Sequence, residues 1–169
     1  MDDILDISVE IVTLDKIEVL VNLLEKYDYE FSQYEYRDVD DNGLYKSMDL
    51  KHYLIKENGI GYFIKVDSRL AGFVLISNHD ENEKNIKYSI EEFFIMYKYK
   101  RQGVGTYVIN YVFNEYKGKW QLTYAQKNKP ANEFWNKVVK NYTNDIYEKN
   151  KDWMKYNDGI TRDELIFET

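Results

Sequence analysis

The segment EEFFIMYKYKRQGVGTYVINYVF, residues 91–113, contains the features that decide the fold. It begins as an apolar, aromatic run typical of a β-strand, passes through a basic cluster, and reaches two glycines in the spacing GVG. From Val104 onward the apolar residues recur at the three- and four-residue spacing of a helix. We therefore expect a strand, a glycine turn and a helix in direct succession.

The glycine turn is a candidate anion site. The first backbone N–H groups of a helix have no acceptor within the helix and lie at the positive end of its dipole. Gly103 and Gly105 lack a Cβ atom, so an anion could approach the backbone closely. Lys98, Lys100 and Arg101 add positive charge to the same segment. A structural turn that binds no ligand is the alternative interpretation of this motif.

Two other phosphate-binding motifs do not fit the segment. A Walker A loop requires GxxxxGK followed by Ser or Thr, and the sequence contains no such run. A dinucleotide-binding turn would have a small residue where Val108 stands and an acidic residue about 20 positions later. A doubly wound sheet would also require more residues after Gly105 than the sequence contains.

Composition narrows the function classes further. The chain has 169 residues, a length typical of one domain, with no cysteine and a net charge of −7. The lack of cysteine excludes thiol nucleophiles, disulfides and thiolate metal sites. His52 and His79 are not spaced as metal ligands, so we expect no bound metal. The net charge argues against nucleic acid as a partner and suits a cationic substrate. The acidic start and the lack of a long apolar run predict a cytoplasmic protein that does not enter the membrane.

The periodicity of the whole chain predicts one α/β (α+β) domain over residues 1–169. Alternating and helical patterns give the order βααβββαβαββ, a mixed central sheet of about seven strands flanked by about four helices. Ser47 is the expected cap of the second helix, and Asp67 with Ser68 the expected turn of a tight hairpin. Because a helix connects two strands across the glycines, we expect a parallel pair in an otherwise antiparallel sheet.

Two motifs resemble those of a known superfamily. KRQGVG at residues 100–105 resembles the acyl-CoA pyrophosphate loop, Q/R-x-x-G-x-G/A, of the GNAT superfamily of N-acetyltransferases. NKPANEFW at residues 128–135 resembles the second GNAT signature, N-x-x-A-x-x-F-Y/W. The element order is similar to the GNAT fold over nearly the whole chain. Residues 91–105 are similar to the strand and loop of polyamine N-acetyltransferases, and the chain as a whole resembles uncharacterised predicted bacterial acetyltransferases.

The resemblance implies acetyl-CoA as the co-substrate and no metal. In such proteins the loop N–H groups hold the CoA pyrophosphate, the end of the long strand pairs with the pantetheine arm, and the next crossover flanks the cofactor. The positions that match these cofactor-binding roles are Phe93, Phe94, Ile95, Lys100, Arg101, Gln102, Gly103, Val104, Gly105, Thr106, Asn128, Ala131 and Trp135.

Two of these positions depart from the family pattern. Lys100 stands where Arg or Gln is usual, which keeps a positive charge but loses the planar fork of a guanidinium group. Trp135 stands where many members carry a tyrosine thought to protonate the leaving thiolate. Because an indole does not release a proton at a useful pKa, that role is vacant or belongs to another residue.

Glu91 and Glu92 are the candidate catalytic residues. Attack on a thioester requires a neutral amine, whereas an alkylamine with a pKa near 10 is protonated at pH 7, so a proton acceptor is needed. Regular alternation puts Glu91 on the face of Phe93 and favours Glu91, but a β-bulge would exchange the two glutamates. Solvated strand charges without a catalytic role are the alternative.

Two further groups could contact an acceptor. Asp38, Asp40 and Asp41 could attract a cationic or amino-sugar acceptor, or form an ordinary polar turn. The aromatic residues from Tyr27 to Tyr36 could line an acceptor cleft, or reflect the high tyrosine content of the chain.

We therefore expect an acetyl-CoA-dependent N-acetyltransferase that transfers an acetyl group to a primary amine of a small molecule, such as a polyamine or an amino sugar. We expect the amine to attack acetyl-CoA directly within a ternary complex. The chain has no cysteine, and no serine lies in a sequence motif typical of a catalytic nucleophile. The alternatives are a non-catalytic GNAT-fold module that binds acyl-CoA or a protein, and a protein or peptide N-acetyltransferase. The protein is expected to be a monomer or a homodimer.

Overall fold

The computed structural model describes residues 5–45, 48–56, 59–79, 84–155 and 159–169. Within these ranges the order of helices and strands is the predicted one, with two short 3-10 turns in addition. The strands are β1 (Ile7–Ile11), β2 (Gly59–Val66), β3 (Arg69–Asn78), β4 (Tyr88–Ile95), β5 (Lys119–Ala125), β6 (Glu148–Lys155) and β7 (Thr161–Glu168). The helices are α1 (Ile17–Glu35), α2 (Leu50–Lys56), α3 (Val104–Glu115) and α4 (Lys129–Tyr142). The predicted cap Ser47 lies outside the described residues.

The strands form one mixed sheet in the order β1-β2-β3-β4-β5-β7-β6. Neighbouring strands are antiparallel except β4 and β5, which are parallel and joined through α3. The predicted α/β fold class and the predicted parallel crossover across the glycines are therefore confirmed in the described part of the chain. Asp67 and Ser68 form the predicted β2–β3 turn with φ of 48° and 63°, the left-handed conformation that a tight hairpin turn requires.

The sheet separates two apolar clusters. On one face α3 and α4 pack on the sheet through a cluster that includes Val108, Trp120 and Leu165, all fully buried. On the other face α1 and α2 pack through a second cluster that includes Leu20 and Phe73. Consecutive strand residues alternate between these clusters, as the pleat of a strand requires. The sheet is therefore a central layer with a pair of helices on each side.

Candidate active site

β4 and β5 diverge partway along their length. They pair only over the first part of β4, where Ile90 in register with Leu122 is the last pair. Beyond that point β5 continues along β7 as far as Ala125, while β4 continues along β3 as far as Ile95. Residues 91–95 of β4 therefore face a wedge between the two strands, where their backbone has no partner on β5. An extended ligand could form hydrogen bonds to such an edge.

A β-bulge lies at the point where the two strands diverge. On β3, Ile76 pairs with Ile90 and the next residue, Leu75, pairs with Glu92, so Glu91 is the extra residue of β4. The side chain of Glu91 is exposed, and Glu92 is turned toward α1. The expectation of regular alternation, from which Glu91 was favoured, therefore fails after Ile90. The extra residue shifts the pleat by one position, as a bulge does.

Glu92 lies in a partly buried, acidic environment beneath α1. The Tyr27 hydroxyl group donates a hydrogen bond to its carboxylate. Burial raises the pKa of Glu92 to about 7; the bond from Tyr27 opposes this shift, and the nearby carboxylates of Asp28, Glu91 and Glu35 reinforce it. Burial and the charge of Glu92 raise the pKa of Tyr27 well above its usual value, so Tyr27 stays a neutral donor. Glu92 is thus a carboxylate that can exchange a proton near neutral pH.

The position of Tyr27 is fixed by aromatic packing. Its ring centroid is 4.2 Å from that of Phe31 on the same helix. It also makes edge contacts with Phe73 and Phe94 of the sheet, at 5.9 and 6.0 Å. The spacing of Tyr27 and Phe31 along α1 places both rings on the face that covers the sheet. This packing holds the hydroxyl group over β4.

A chain of ion pairs connects the end of α1 to β7. Arg37 contacts the buried Asp28 at 2.8 Å through Nη2 and Glu35 at 2.8 Å through Nε. Glu35 also pairs with Arg162 of β7 at 3.1 Å. The carboxylates of Asp28 and Glu35 beside Glu92 therefore have cationic partners. Glu92 has no cationic partner among the described residues. Its charged form is stabilised by the hydrogen bond from Tyr27.

The glycine turn at the start of α3 presents a run of free backbone donors. Gly103, with φ of 81°, immediately precedes α3, and the first intrahelical bond runs from the Tyr107 N–H to the Gly103 carbonyl. None of the N–H groups from Arg101 to Thr106 has an acceptor in the described part of the chain. A Cβ atom on Gly103 would have no neighbour within 4 Å, so the space in front of the loop is open. These donors suit the oxygens of a pyrophosphate.

The model of the acetyltransferase (GNAT) family matches residues 17–139, which include α1, the bulged strand, the glycine loop and most of α4. The chain belongs to the GNAT acetyltransferase family. The resemblance noted in the sequence and the prediction of an acetyltransferase of this type are therefore confirmed. No curated protein matches the sequence.

Solved structures of acetyltransferases share this GNAT fold at low sequence identity. One from Thermus thermophilus has a TM-score of 0.70 and 11% identity, covering 96% of this chain and 97% of that one. A probable acetyltransferase from Staphylococcus epidermidis has a TM-score of 0.64 and 14% identity, covering 96% and 99%. The spermidine N-acetyltransferase from Vibrio cholerae, solved with CoA and spermine, has a TM-score of 0.65 and 10% identity, covering 96% and 95%.

In this GNAT domain two polar side chains of the glycine loop contact other parts of the chain. The ammonium group of Lys100 pairs with Glu30 of α1 and lies 6.0 Å from the centre of the Phe94 ring. The Gln102 side chain donates to the carbonyl of Lys98 at 2.6 Å. Lys100 is therefore directed toward α1.

An aromatic cluster borders the wedge on the α4 side. Phe93 of β4 stacks on Phe134 with a centroid distance of 5.5 Å and contacts Trp135 at 5.4 Å. A Cβ atom on Gly105 would approach the Phe134 ring to 3.2 Å, so this glycine allows α3 and α4 to pack closely. Trp135 is only 7% exposed. The indole at the usual tyrosine position is thus part of the core beside the wedge.

The second GNAT signature has a local structural function. The Asn128 side chain accepts a hydrogen bond from the Ala131 N–H at 3.1 Å and so caps α4. Pro130 lies in the first turn, where its missing N–H costs nothing. The cap fixes the start of α4 at the end of β5, next to the wedge.

The acidic loop after α1 stabilises its own turn. The Asp40 carboxylate accepts hydrogen bonds from the Asn42 and Leu44 N–H groups at 2.8 and 3.0 Å. Asp38 and Asp41 are exposed. The ordinary turn interpretation therefore accounts for Asp40.

The described residues contain neither a metal-ligand cluster nor a membrane-spanning helix. No group of three or more His, Cys, Asp or Glu side chains among them is arranged to hold a metal ion. No helix in the described ranges is long and apolar enough to cross a membrane.

Proposed function

We propose that this protein is an acetyl-CoA-dependent N-acetyltransferase that acetylates a primary amine of a small molecule, with Glu92 as the proton acceptor. One juxtaposition supports the proposal above all. A carboxyl group with a pKa of about 7 lies at the bulge where β4 leaves β5, and the same strand leads into the loop of free N–H donors. Proton exchange and acyl-CoA binding are thus combined on one strand and its turn.

The wedge and the loop suit the two ends of acetyl-CoA. The free N–H groups from Arg101 to Thr106 would hold the pyrophosphate, helped by the dipole of α3. The unpaired edge of residues 91–95 would hold the pantetheine amides. One N–H group of this edge would polarise the thioester carbonyl, and removing a donor of this kind typically slows acyl transfer by about 10²–10³.

Glu92 would prepare the acceptor for attack. Its carboxylate takes one proton from the substrate ammonium group, which leaves a neutral amine. The nitrogen then attacks the carbonyl carbon, a C–N bond forms and the C–S bond breaks. The second proton of the nitrogen neutralises the departing thiolate, so the products are an amide, CoA as the thiol, and one proton that Glu92 releases to solvent. A pKa near the working pH suits a general base.

Tyr27 would act as a positioning residue. Its hydroxyl group orients the Glu92 carboxylate and favours its charged form, while the aromatic packing of Tyr27 prevents the pair from separating.

We propose a cationic acceptor, a polyamine or an amino sugar, and a cytoplasmic location. The net charge of −7 and the acidic surroundings of Glu92 support a cationic substrate. The spermidine N-acetyltransferase of Vibrio cholerae shares the fold, and its structure contains spermine. This likeness supports the substrate class by analogy.

A non-catalytic acyl-CoA-binding module is the second candidate. One observation favours it, namely the buried indole of Trp135 where many GNAT enzymes have a tyrosine. In that case acetyl-CoA would bind to the wedge without transfer of its acetyl group.

The decisive experiment is an acceptor screen with the full chain. Release of free CoA thiol from acetyl-CoA is followed with polyamines, aminoglycosides, amino acids and peptides, and products are identified by mass spectrometry. We expect amine-dependent release and an acetylated small amine. Release no faster than background hydrolysis with every amine, together with tight acetyl-CoA binding, would support the non-catalytic module instead.

A further inference from the structure

A second buried carboxylate on the sheet binds an ammonium group supplied by the chain itself. Glu164 of β7 is 0% exposed, and Lys84 Nζ lies 3.1 and 3.4 Å from its two oxygens. The side-chain amide of Asn150 donates to the same carboxylate at 2.8 Å, and that of Gln121 also donates to it. These contacts form an ammonium-binding site around a fully buried carboxylate.

An aromatic ring completes the site. The Lys84 Nζ atom lies 5.7 Å from the centre of the Trp153 ring. Trp153 is on β6, where the pairing with β7 is interrupted between Asn150 and Met154 and Asp152 has a φ of 52°. A carboxylate together with an indole face is the combination that binds alkylammonium groups.

This site lies on the same face of the sheet as Glu92. Leu165 belongs to the cluster under α3 and α4, so its neighbour Glu164 points to the opposite face. Arg162, on that same opposite face, reaches Glu35 of α1. Glu164 therefore faces the α1 side, toward which Glu92 is also turned.

The two carboxylates also lie at the same level of the sheet. Glu164 is in register with Thr123 of β5, one residue beyond the last β4–β5 pair at Leu122. Glu92 follows the same pair by two residues, of which one is the bulge. With two strand spacings between them, the carboxylates are separated by roughly 10 Å, or more where β4 and β5 diverge.

Lys84 is suited to being displaced. Its side chain is 49% exposed, although its ammonium group reaches a carboxylate that is completely buried. A long, flexible side chain loses rotamer entropy when it is held in one geometry. A second ammonium group of the right spacing could therefore take its place, since it would satisfy the same carboxylate and the same ring.

We propose that Glu164, with Trp153, Gln121 and Asn150, binds the distal ammonium group of a diamine or polyamine whose other amine is acetylated next to Glu92. Lys84 occupies this site when no such substrate is bound and so competes with it. The inference rests on the proposed function for the catalytic end of the substrate. It adds that the enzyme selects acceptors with two positive charges about 10 Å or more apart.

The first test compares diaminooctane with octylamine, a monoamine of equal chain length. In Glu164→Gln we expect KM for the diamine to rise at least about tenfold, the factor that corresponds to 1.4 kcal/mol. KM for the monoamine should stay unchanged. In Lys84→Met we expect KM for the diamine to fall, again without effect on the monoamine. Equal changes for both amines, or no change in either variant, would overturn the proposal.

The second test does not depend on turnover. Diaminooctane should raise the Tm of Lys84→Met more than that of the wild type, because it replaces the missing ammonium group, whereas octylamine should not. Lys149→Met is the matched control, since Lys149 lies 4.0 Å from the buried Asp163 at a different site. If diaminooctane raises the Tm of Lys84→Met and of Lys149→Met equally, the proposal is contradicted even if no amine is acetylated. A selective Tm effect without turnover would support the diamine site and contradict only the proposed catalytic function.

Discussion

The hydroxyl group of Tyr27 on α1 donates a hydrogen bond to the carboxylate of Glu92 on β4. The two residues lie 65 positions apart in the sequence and are brought together because the bulge at Glu91 turns Glu92 toward α1. This contact connects the helix that covers the sheet to the point where β4 and β5 diverge. It also favours the charged form of the candidate base, against the effect of burial on its pKa.

Removal of the Tyr27 hydroxyl group should shift the pH dependence of activity. The hydrogen bond favours the charged carboxylate, so Tyr27→Phe should raise the pKa of Glu92 above about 7 while the ring packing is kept. The acidic limb of kcat/KM should then move to higher pH. Tyr29→Phe is the control, since Tyr29 is an exposed tyrosine on the same helix. An unshifted limb in Tyr27→Phe would show that the hydroxyl group does not act on the base.

Replacement of Glu92 by glutamine should remove the base. We expect kcat/KM to fall by about 10²–10⁴, the usual contribution of general base catalysis, and the limb near pH 7 to disappear. Glu91→Gln changes an exposed neighbour and should leave the limb in place. Steady-state kinetics between pH 5.5 and 9, roughly the range around that pKa, separate the two cases. The opposite pattern would assign the base to Glu91.

Glu92 should also make the stability of the fold depend on pH. An unfolded glutamate has a pKa of about 4.3, whereas Glu92 in the folded protein has a pKa of about 7. The folded state therefore holds a proton that the unfolded state releases, and this contribution to the free energy of unfolding is lost as pH rises through about 7. The loss in the free energy of unfolding amounts to at most about 4 kcal/mol.

The Glu92→Gln variant lacks this dependence. Relative to the wild type, it should become more stable as pH rises from about 4.5 to 8. Denaturant unfolding at both ends of that range measures the change. A constant difference in the free energy of unfolding would mean that Glu92 ionises in the folded protein as it does in the unfolded chain.

The pairing of β3 with β4 should be sensitive to one glycine. A Cβ atom on Gly72 would clash with the backbone carbonyl oxygen of Phe94, which cannot move without breaking the strand pair. We expect Gly72→Ala to lower the free energy of unfolding by about 3 kcal/mol or more. Gly61→Ala is the matched strand variant, because its Cβ would meet only side chains of Leu75 and Val12 at 3.2 Å. A loss in Gly72→Ala no larger than in Gly61→Ala would contradict this packing.

Periodicity was sufficient to predict the fold. Apolar spacing indicated each strand and helix, and the helix between two strands at the glycines required the parallel pair of β4 and β5. The tight turn at Asp67 and Ser68 was also readable, because few residues separate two β-rich runs there.

The sequence could not predict which of Glu91 and Glu92 faces α1. A bulge adds one residue to a strand without a characteristic residue type, so the pattern of 91–95 is compatible with either face. The partnership of Tyr27 with Glu92 depends on how α1 lies across the sheet, which no local spacing determines. The proposed Glu164 site has no sequence pattern for the same reason, since its residues come from separate strands and a loop.

The role of Lys100 also needed the structure. The resemblance implies a contact of Lys100 with the cofactor, which stays a prediction, and its ammonium group pairs with Glu30 of α1. The ion pair forms because α1 passes beside the loop, a feature of tertiary packing and not of the motif.

Calorimetric titration of acetyl-CoA into three proteins measures whether the glycine loop binds the pyrophosphate of this co-substrate. Gly103→Glu places a carboxylate in the open space before the free N–H donors, and Gly43→Glu places one at an equally open glycine of similar φ, 74° against 81°, in the loop after α1. We predict that wild type and Gly43→Glu bind acetyl-CoA with the same affinity and that Gly103→Glu does not bind it measurably. Equal binding by all three proteins, or no binding by the wild type, would contradict the assignment of this loop.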